Sequence, residues 1–335
     1  ALTMAKPTLA LTTGDPAGIG PEISLRVAAM EEMWGLCRLV LVGDPAVLEA
    51  ALKVAKVDAR LRVTPRRKLD ELLSSPEEEG AIDVLDAGIL NEPVPFGKAN
   101  AQAGQASYAY IFDAIEKAQA GRVAAVVAAP ITKLAMHLGG VKFPGHTEIF
   151  GEMTKADPFA MMMYSDRMAV GLVTCHQSLA SVPISLTSER IEAVGKLLSD
   201  SVERIRNKKP RMAVCGLNPH AGEDGLFGHE EIDIIAPAME NLRARGYDVH
   251  GPIPPDAAFT QRALKEYDAH LCMYHDQGLI PFKMLCFDEG VNVTMGLPFV
   301  RTSPDHGTAY DIAGKGIAET SSLESAIRLA AKLAK

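Results

Sequence analysis

Short apolar runs alternate with helix-like stretches along most of this chain, and that alternation restricts the fold more than any other feature. TLALTTG reads as a strand, followed by PEISLRVAAMEEMW, a helical pattern with proline in its first turn. CRLVLVG and PAVLEAALKVAK repeat that order, and the long helical stretch NAQAGQASYAYIFDAIEKAQAG precedes the buried strand VAAVVAAP. Such β-α alternation predicts an α/β fold with a largely parallel, helix-covered sheet. Signals are weaker over 57–97, where SSPEEEG reads as an exposed loop.

At 335 residues the chain is too long for one small core, and two domains are expected. The acids (42 Asp and Glu) outnumber the bases (34 Lys and Arg), and the two are interspersed, which argues against a nucleic-acid surface. The one basic cluster, RNKKPR at 206–211, reads as a solvated helix end. Most of Cys37, Cys175, Cys215, Cys272 and Cys286 lie in apolar runs, and none forms a C-x-x-C pair. That usage suits a reducing compartment, hence a cytoplasmic address without a disulfide framework. No run approaches a bilayer span, and the first residues read as a short tail entering a strand rather than a signal peptide.

Three histidines each sit just past a short apolar run. His176 closes MAVGLVTCH, His220 closes RMAVCGLNPH and His275 closes HLCMYH. Ligands of open α/β sheets bind outside the carboxyl ends of strands. Any one of these residues alone reads as an ordinary turn histidine. Three with the same placement, each followed by a polar loop, predict one divalent metal with open coordination positions.

Other segments carry candidate contacts. GDPAGIGPE, residues 14–22, is either a structural tight turn or a backbone cradle for an anion; it is neither G-x-G-x-x-G nor a P-loop. FPGHTE places His146 and Thr147 at a helix start, where they suit a phosphate or carboxylate, with Thr147 also a candidate N-cap. YHDQGLIPFK crowds His275, Asp276 and Lys283 together. Asp276 could orient an imidazole, ligate the metal or handle a proton, and Lys283 could pair with an anionic substrate group. VNVTMGLPFVRTS delivers Arg301, suited to bidentate capture of an anion, while Asn292 either joins that site or caps a turn. DHGTAYDIAGKGIA is bare enough in Gly and Ala to approach a flat ring, or simply to pack closely. The chain ends in an amphipathic helix expected to pack on the first unit.

The HGTAYDIAGK stretch resembles the cofactor loop H-G-[ST]-A-x-D-I-A-G-K of the isocitrate and isopropylmalate dehydrogenases, which hold NAD(P) without a Rossmann fingerprint. The chain as a whole resembles the 4-hydroxythreonine-4-phosphate dehydrogenase family of pyridoxal phosphate biosynthesis. The match runs nearly end to end, through GDPAGIGPE, FPGHTE, TCHQSL, CGLNPHAGE, YHDQGLIPFK and NVTMGLPFVRTSPDHGTA. The resemblance implies two α/β/α domains with a cleft between them, isocitrate/isopropylmalate dehydrogenase-like and not Rossmann. Residues 1–143 with 304–335 are expected to form the first domain, and 144–303 the second. It further implies metal ligation by His176, His220 and His275, and substrate contacts from His146, Thr147, Lys283, Asn292 and Arg301. The cofactor contacts would be His306, Gly307, Thr308, Ala309 and Asp311. A homodimer with its metal site shared across the subunit interface is also implied, with no nucleic-acid or membrane partner.

The implied reaction oxidises the C3 hydroxyl of 4-phosphooxy-L-threonine with NAD or NADP. The β-keto acid formed then loses CO₂ to give 3-amino-2-oxopropyl phosphate. A divalent cation (zinc, magnesium, cobalt, manganese or nickel) would stabilise the developing alkoxide, and neutral imidazoles leave its charge undiminished. Lys283 and Arg301 with Asn292 would grip anionic groups, and Asp276 or Asp256 in GPIPPDAAF would handle protons. Relatives acting on erythronate or threonate phosphate, or on a dihydrodiol dicarboxylate, share these motifs. A three-histidine metal hydrolase is the rival of another class, and a catalytically dead sugar-acid-binding regulator is a third reading.

Overall fold

The computed structural model describes residues 6–335; the start of the tail expected before the first strand, residues 1–5, lies outside them. By its internal packing the chain forms two units, 1–155 with 297–335, and 156–296.

Among the described residues the first unit holds six strands: β1 (Thr8–Thr12), β2 (Arg38–Gly43), β3 (Arg60–Pro65), β4 (Ala81–Asp86), β5 (Ala125–Ala128) and β12 (Val300–Pro304). Their order is β3-β4-β2-β1-β5-β12, and every neighbouring pair is parallel. β5, AVVA, is buried throughout, as a strand covered on both faces must be. The helix Ala101–Gln119 starts where the Asn100 side chain accepts from the Ala103 amide (2.8 Å). It packs closely on the helix Lys133–Leu138 because Gly104 has no Cβ, which would fall 1.8 Å from the Ala135 carbonyl oxygen. The C-terminal helix Ser321–Leu333 buries Leu323, Ala326, Ile327 and Ala330, and its Ala326 carbonyl accepts from Thr302 Oγ1 in β12 (2.8 Å).

The second unit holds β6 (Ala160–Tyr164), β7 (Ala169–Leu172), β8 (Arg211–Cys215), β9 (Asp248–Ile253), β10 (Ala269–Cys272) and β11 (Val291–Met295), in the order β11-β6-β7-β10-β8-β9. β6 runs antiparallel to both neighbours, and the remaining pairs are parallel. The helix Ser188–Arg206 is capped by Thr187 and ends at Asn207 in a left-handed conformation, within the basic cluster RNKKPR.

Three sequence expectations change. The helix His146–Thr154 and strand β12 belong to the first unit rather than the second. Ile149 and Phe150 of the helix sit in that unit's core, and β12 pairs with β5. VNVTMGLPFVRTS is two strands, with Arg301 inside the second and not beyond it. The turn between them needs Gly296 (φ +89°), since a Cβ there would lie 2.3 Å from the Pro158 carbonyl oxygen. The weak region 57–97 contains β3 and β4. Among the described residues, no helix is long and apolar enough to cross a membrane.

Candidate active site

β7, β10 and β8 are adjacent parallel strands, with His270 opposite Val170 on one side and Ala213 on the other. Their carboxyl ends therefore fall at one sheet edge, about 4.8 Å apart. His176 lies four residues beyond β7, His275 three beyond β10 and His220 five beyond β8. The His176 and His275 rings are 5.7 Å apart between centroids. Ligand atoms of Cys175, His176 and His275 all lie within 4.8 Å of one another; among the described residues, that group does not include His220.

Two of the three imidazoles carry a carboxylate on Nδ1. Asp276 Oδ1 is 2.7 Å from His275 Nδ1, and Glu223 Oε2 is 2.6 Å from His220 Nδ1. Such pairing fixes the tautomer and presents Nε2 as the ligating nitrogen. This contact suits the orienting role among the three open to Asp276, whose side chain is otherwise exposed. His275 itself is the first residue of a helix that runs to Cys286 and carries Lys283, whose Nζ lies 5.9 Å from the Phe287 ring centroid. Asn292 is half-buried on β11 and donates to Met161 Sδ (3.3 Å). Asp256 is exposed in the turn after β9.

The loop bearing His220 has an unusual backbone. His220, Ala221, Glu223 and Asp224 have φ between 44° and 54°, a region costly for side chains, and Gly222 and Gly225 share the hand. The buried carboxylate of Glu231 holds the loop's entry. It accepts from the amides of Leu217 (2.6 Å) and Asn218 (2.7 Å) and from Asn218 Nδ2 (3.0 Å). Sequence reading passed over Glu231, and no local pattern marks it.

In the first unit, Arg301 is fully buried, with its guanidinium carbon 5.2 Å from the Phe150 ring centroid and Nη2 donating to Ser303 Oγ (3.0 Å). Burial lowers its pKa to about 9, and the Glu148 carboxylate opposes that shift. Burial and the nearby Arg301 charge hold the His146 imidazole well below its ordinary pKa, so it is neutral. Its Nε2 is buried and has no hydrogen-bond partner among the described residues. A buried guanidinium beside an unsatisfied nitrogen fits an anionic, hydrogen-bonding ligand. Thr147 is buried here too, but it is not the helix cap: Gly145 holds that position and no side chain caps it.

Two motifs read separately in the sequence are joined within the first unit. Ile19 N donates to the Thr308 carbonyl (3.0 Å), and Tyr310 Oη donates to Asp15 Oδ2 (2.5 Å). A Cβ on Gly18 would strike Thr308 Cβ at 2.9 Å, so GDPAGIGPE serves as a close-packed seat for the HGTAYD loop. Further along, Arg26 donates to the carbonyls of Gly316 (2.6 Å) and Ala318 (2.7 Å), while Glu22 accepts from the Ala318 amide. On the loop itself, Gly307 is exposed with open space where a Cβ would stand, and buried His306 Nε2 has no hydrogen-bond partner among the described residues. Thr308 is buried, Ala309 is left-handed (φ 43°) and Asp311 is exposed. An open backbone beside an unsatisfied imidazole fits a flat, polar cofactor.

The model of the pyridoxal phosphate biosynthetic protein PdxA family matches residues 35–330. The chain belongs to this family. It is 44% identical to a 4-hydroxythreonine-4-phosphate dehydrogenase of Desulforapulum autotrophicum over 98% of this chain and 96% of that protein. It is 42% identical to a D-threonate 4-phosphate dehydrogenase of Salmonella typhimurium over 99% of this chain and all of that protein. A crystal structure of a 4-hydroxythreonine-4-phosphate dehydrogenase from Klebsiella pneumoniae superposes with a TM-score of 0.86 at 41% identity, covering 99% of each chain. These relatives cover 98–99% of the chain, and the solved one shares its mixed α/β fold.

Proposed function

We propose that this protein is an NAD(P)- and divalent-metal-dependent dehydrogenase that oxidises 4-phosphooxy-L-threonine at C3. The product, 2-amino-3-oxo-4-phosphooxybutanoate, decarboxylates to 3-amino-2-oxopropyl phosphate on the route to pyridoxal phosphate. The observation that carries this reading is the delivery of His176, His275 and His220 to one sheet edge by three neighbouring parallel strands, two of them with carboxylates on Nδ1. A bound cation supplies charge that stabilises an alkoxide and polarises a ketone.

The chain's own groups divide the remaining work. Asp276 and Glu223 orient the imidazoles. Arg301, His146 and Thr147 are the anion-binding groups of the first unit, and Lys283 and Asn292 those of the second. The neutral His146 imidazole donates or accepts a hydrogen bond without competing with Arg301 for the anion. The loop 306–311 offers the nicotinamide cofactor its bare backbone at Gly307, with His306, Thr308, Ala309 and Asp311 as contacts. Asp256 stays a candidate for proton handling.

A homodimer with a shared metal site also belongs to this proposal. Large exposed apolar side chains lie on the same three segments that carry the histidines: Ile184 (85% exposed), Leu226 (73%) and Met284 (79%), with Leu179, Phe227 and Ile280 beside them. Such patches mark interaction surfaces, and His220 lies outside the group formed by His176 and His275. All five cysteines are free thiols, which fits a cytoplasmic setting.

The test is a substrate panel with NADH or NADPH formation followed directly. 4-phosphooxy-L-threonine is expected to turn over fastest, and chelator treatment is expected to stop the reaction until a divalent cation is restored. Preferential oxidation of D-threonate 4-phosphate would overturn the substrate while keeping the chemistry. That arm is included because a relative of that name is 42% identical. Turnover unaffected by chelation would remove the metal.

A further inference from the structure

Cys175 differs from the other four cysteines. Cys37, Cys215, Cys272 and Cys286 are buried in apolar packing, and burial raises the Cys37 thiol to about 12. Cys175 is half-buried and stands immediately before His176, and Gln177 N donates to its carbonyl (2.9 Å) in a three-residue turn centred on His176. We propose that Cys175 Sγ is a direct donor to the divalent cation, so that one chain offers sulfur from Cys175 and nitrogens from His176 and His275. The idea rests on the metal reading above and extends it to a residue type that reading did not use; with His220 the cation would have four protein donors, and a substrate oxygen would join as a fifth, as catalytic zinc allows.

The geometry carries the assignment. The three ligand atoms lie within 4.8 Å of one another. A tetrahedral zinc with Zn–S near 2.3 Å and Zn–N near 2.0–2.1 Å sets its donors roughly 3.3–3.6 Å apart. Side-chain rotation of a half-buried thiol and two imidazoles at a loop edge covers the difference. Thiolate ligation lowers the net charge of the centre from +2 to +1. It also biases the site toward zinc, cobalt or cadmium and away from magnesium, which prefers oxygen.

The experiment uses the full chain, stripped with chelator and reloaded with cobalt(II). The wild type is expected to show thiolate-to-cobalt charge-transfer absorption in the near ultraviolet. Cys175→Ser is expected to bind cobalt, seen in its visible ligand-field bands, and to lose the ultraviolet band. In parallel, zinc is expected to protect Cys175 of the wild type from iodoacetamide, read by mass on its peptide, and to give no protection in His176→Ala. Cobalt bound to the wild type without the charge-transfer band, or a band that survives in Cys175→Ser, overturns the thiolate and leaves the histidine site standing. No cobalt binding by the folded wild type overturns the metal reading and the thiolate with it.

Discussion

Glu231→Gln tests whether a buried carboxylate holds the His220 loop in its left-handed form. Glu231 is 3% exposed and accepts three hydrogen bonds, from the Leu217 and Asn218 amides and from Asn218 Nδ2. Glutamine keeps one oxygen for the two amides, but its nitrogen then faces the Asn218 donor. Losing one charge-assisted bond costs about 1.5–3 kcal/mol, and turning the other two into neutral bonds adds about 1 kcal/mol. The loop stores strain of its own, about 1 kcal/mol for each of the four non-glycine left-handed residues, so nothing in its backbone compensates. A loss of about 3 kcal/mol is expected, seen as a lower urea midpoint and as roughly 100-fold faster hydrogen exchange at Leu217 and Asn218. If His220 ligates the proposed divalent cation, affinity for that cation should fall with it, because His220 rides on the released segment. A change below about 0.5 kcal/mol, with exchange at those two amides unaltered, would refute the reasoning.

Arg301→Lys keeps the charge but removes the planar fork; phosphate is expected to raise the melting temperature of the wild type and not of the variant, and kcat/KM should drop at least 30-fold, the equivalent of about 2–5 kcal/mol, as calorimetry and steady-state rates would show. Tyr310→Phe leaves the buried Asp15 carboxyl with the Ala17 amide as its remaining hydrogen-bond donor of the two described; a stability loss of about 1–3 kcal/mol is expected, with weaker NAD(P) binding by fluorescence titration and unchanged affinity for the proposed divalent cation. His270 is buried against the Ala258 carbonyl (2.7 Å), and burial lowers its pKa from 6.5 to about 4. The folded state therefore resists protonation of this group: the contribution of His270 to stability is full above pH 6.5 and falls by about 3 kcal/mol as the pH drops from there through about 4. Urea titrations across that window should show the slope in the wild type and a flatter one in His270→Gln.

The β-α alternation was legible because parallel strands covered on both faces become nearly unbroken apolar runs, as in RLVLVG and AVVA. β3 and β4 escaped for the opposite reason. β3, RLRVTP, is an edge strand with Arg60 and Arg62 alternating along it, and β4, AIDVLD, carries Asp83 in its middle. Asp83 is tolerated because Arg38 (2.9 Å) and Arg62 (2.6 Å) both bind it, a pairing between residues 21 to 45 positions apart that no local window contains. The unit boundary failed similarly. The apolar residues of HTEIFGEMT announce a helix, but not which core receives Ile149 and Phe150.

The three histidines could be found because position after a strand is a one-dimensional property. Their delivery to one sheet edge is not, since it depends on β10 lying between β7 and β8, an order that chain succession does not give; within the described residues the rings of His176 and His275 come together and His220 stays outside that group. Composition also cannot separate the cysteines by their surroundings. Cysteine in an apolar run reads as a small hydrophobe, and for Cys215 and Cys272, buried with sulfurs 3.9 Å apart, that reading is right. Cys175 sits in the same kind of run, yet β7 stops at Leu172 and the chain bends before the thiol arrives. Three residues past the end of β7, and one past the last backbone bond to the β10 segment (Thr174 N to the Met273 carbonyl), separate a packing atom from a candidate ligand, and that position is set by where the neighbouring strands end, not by anything Cys175 shows alone.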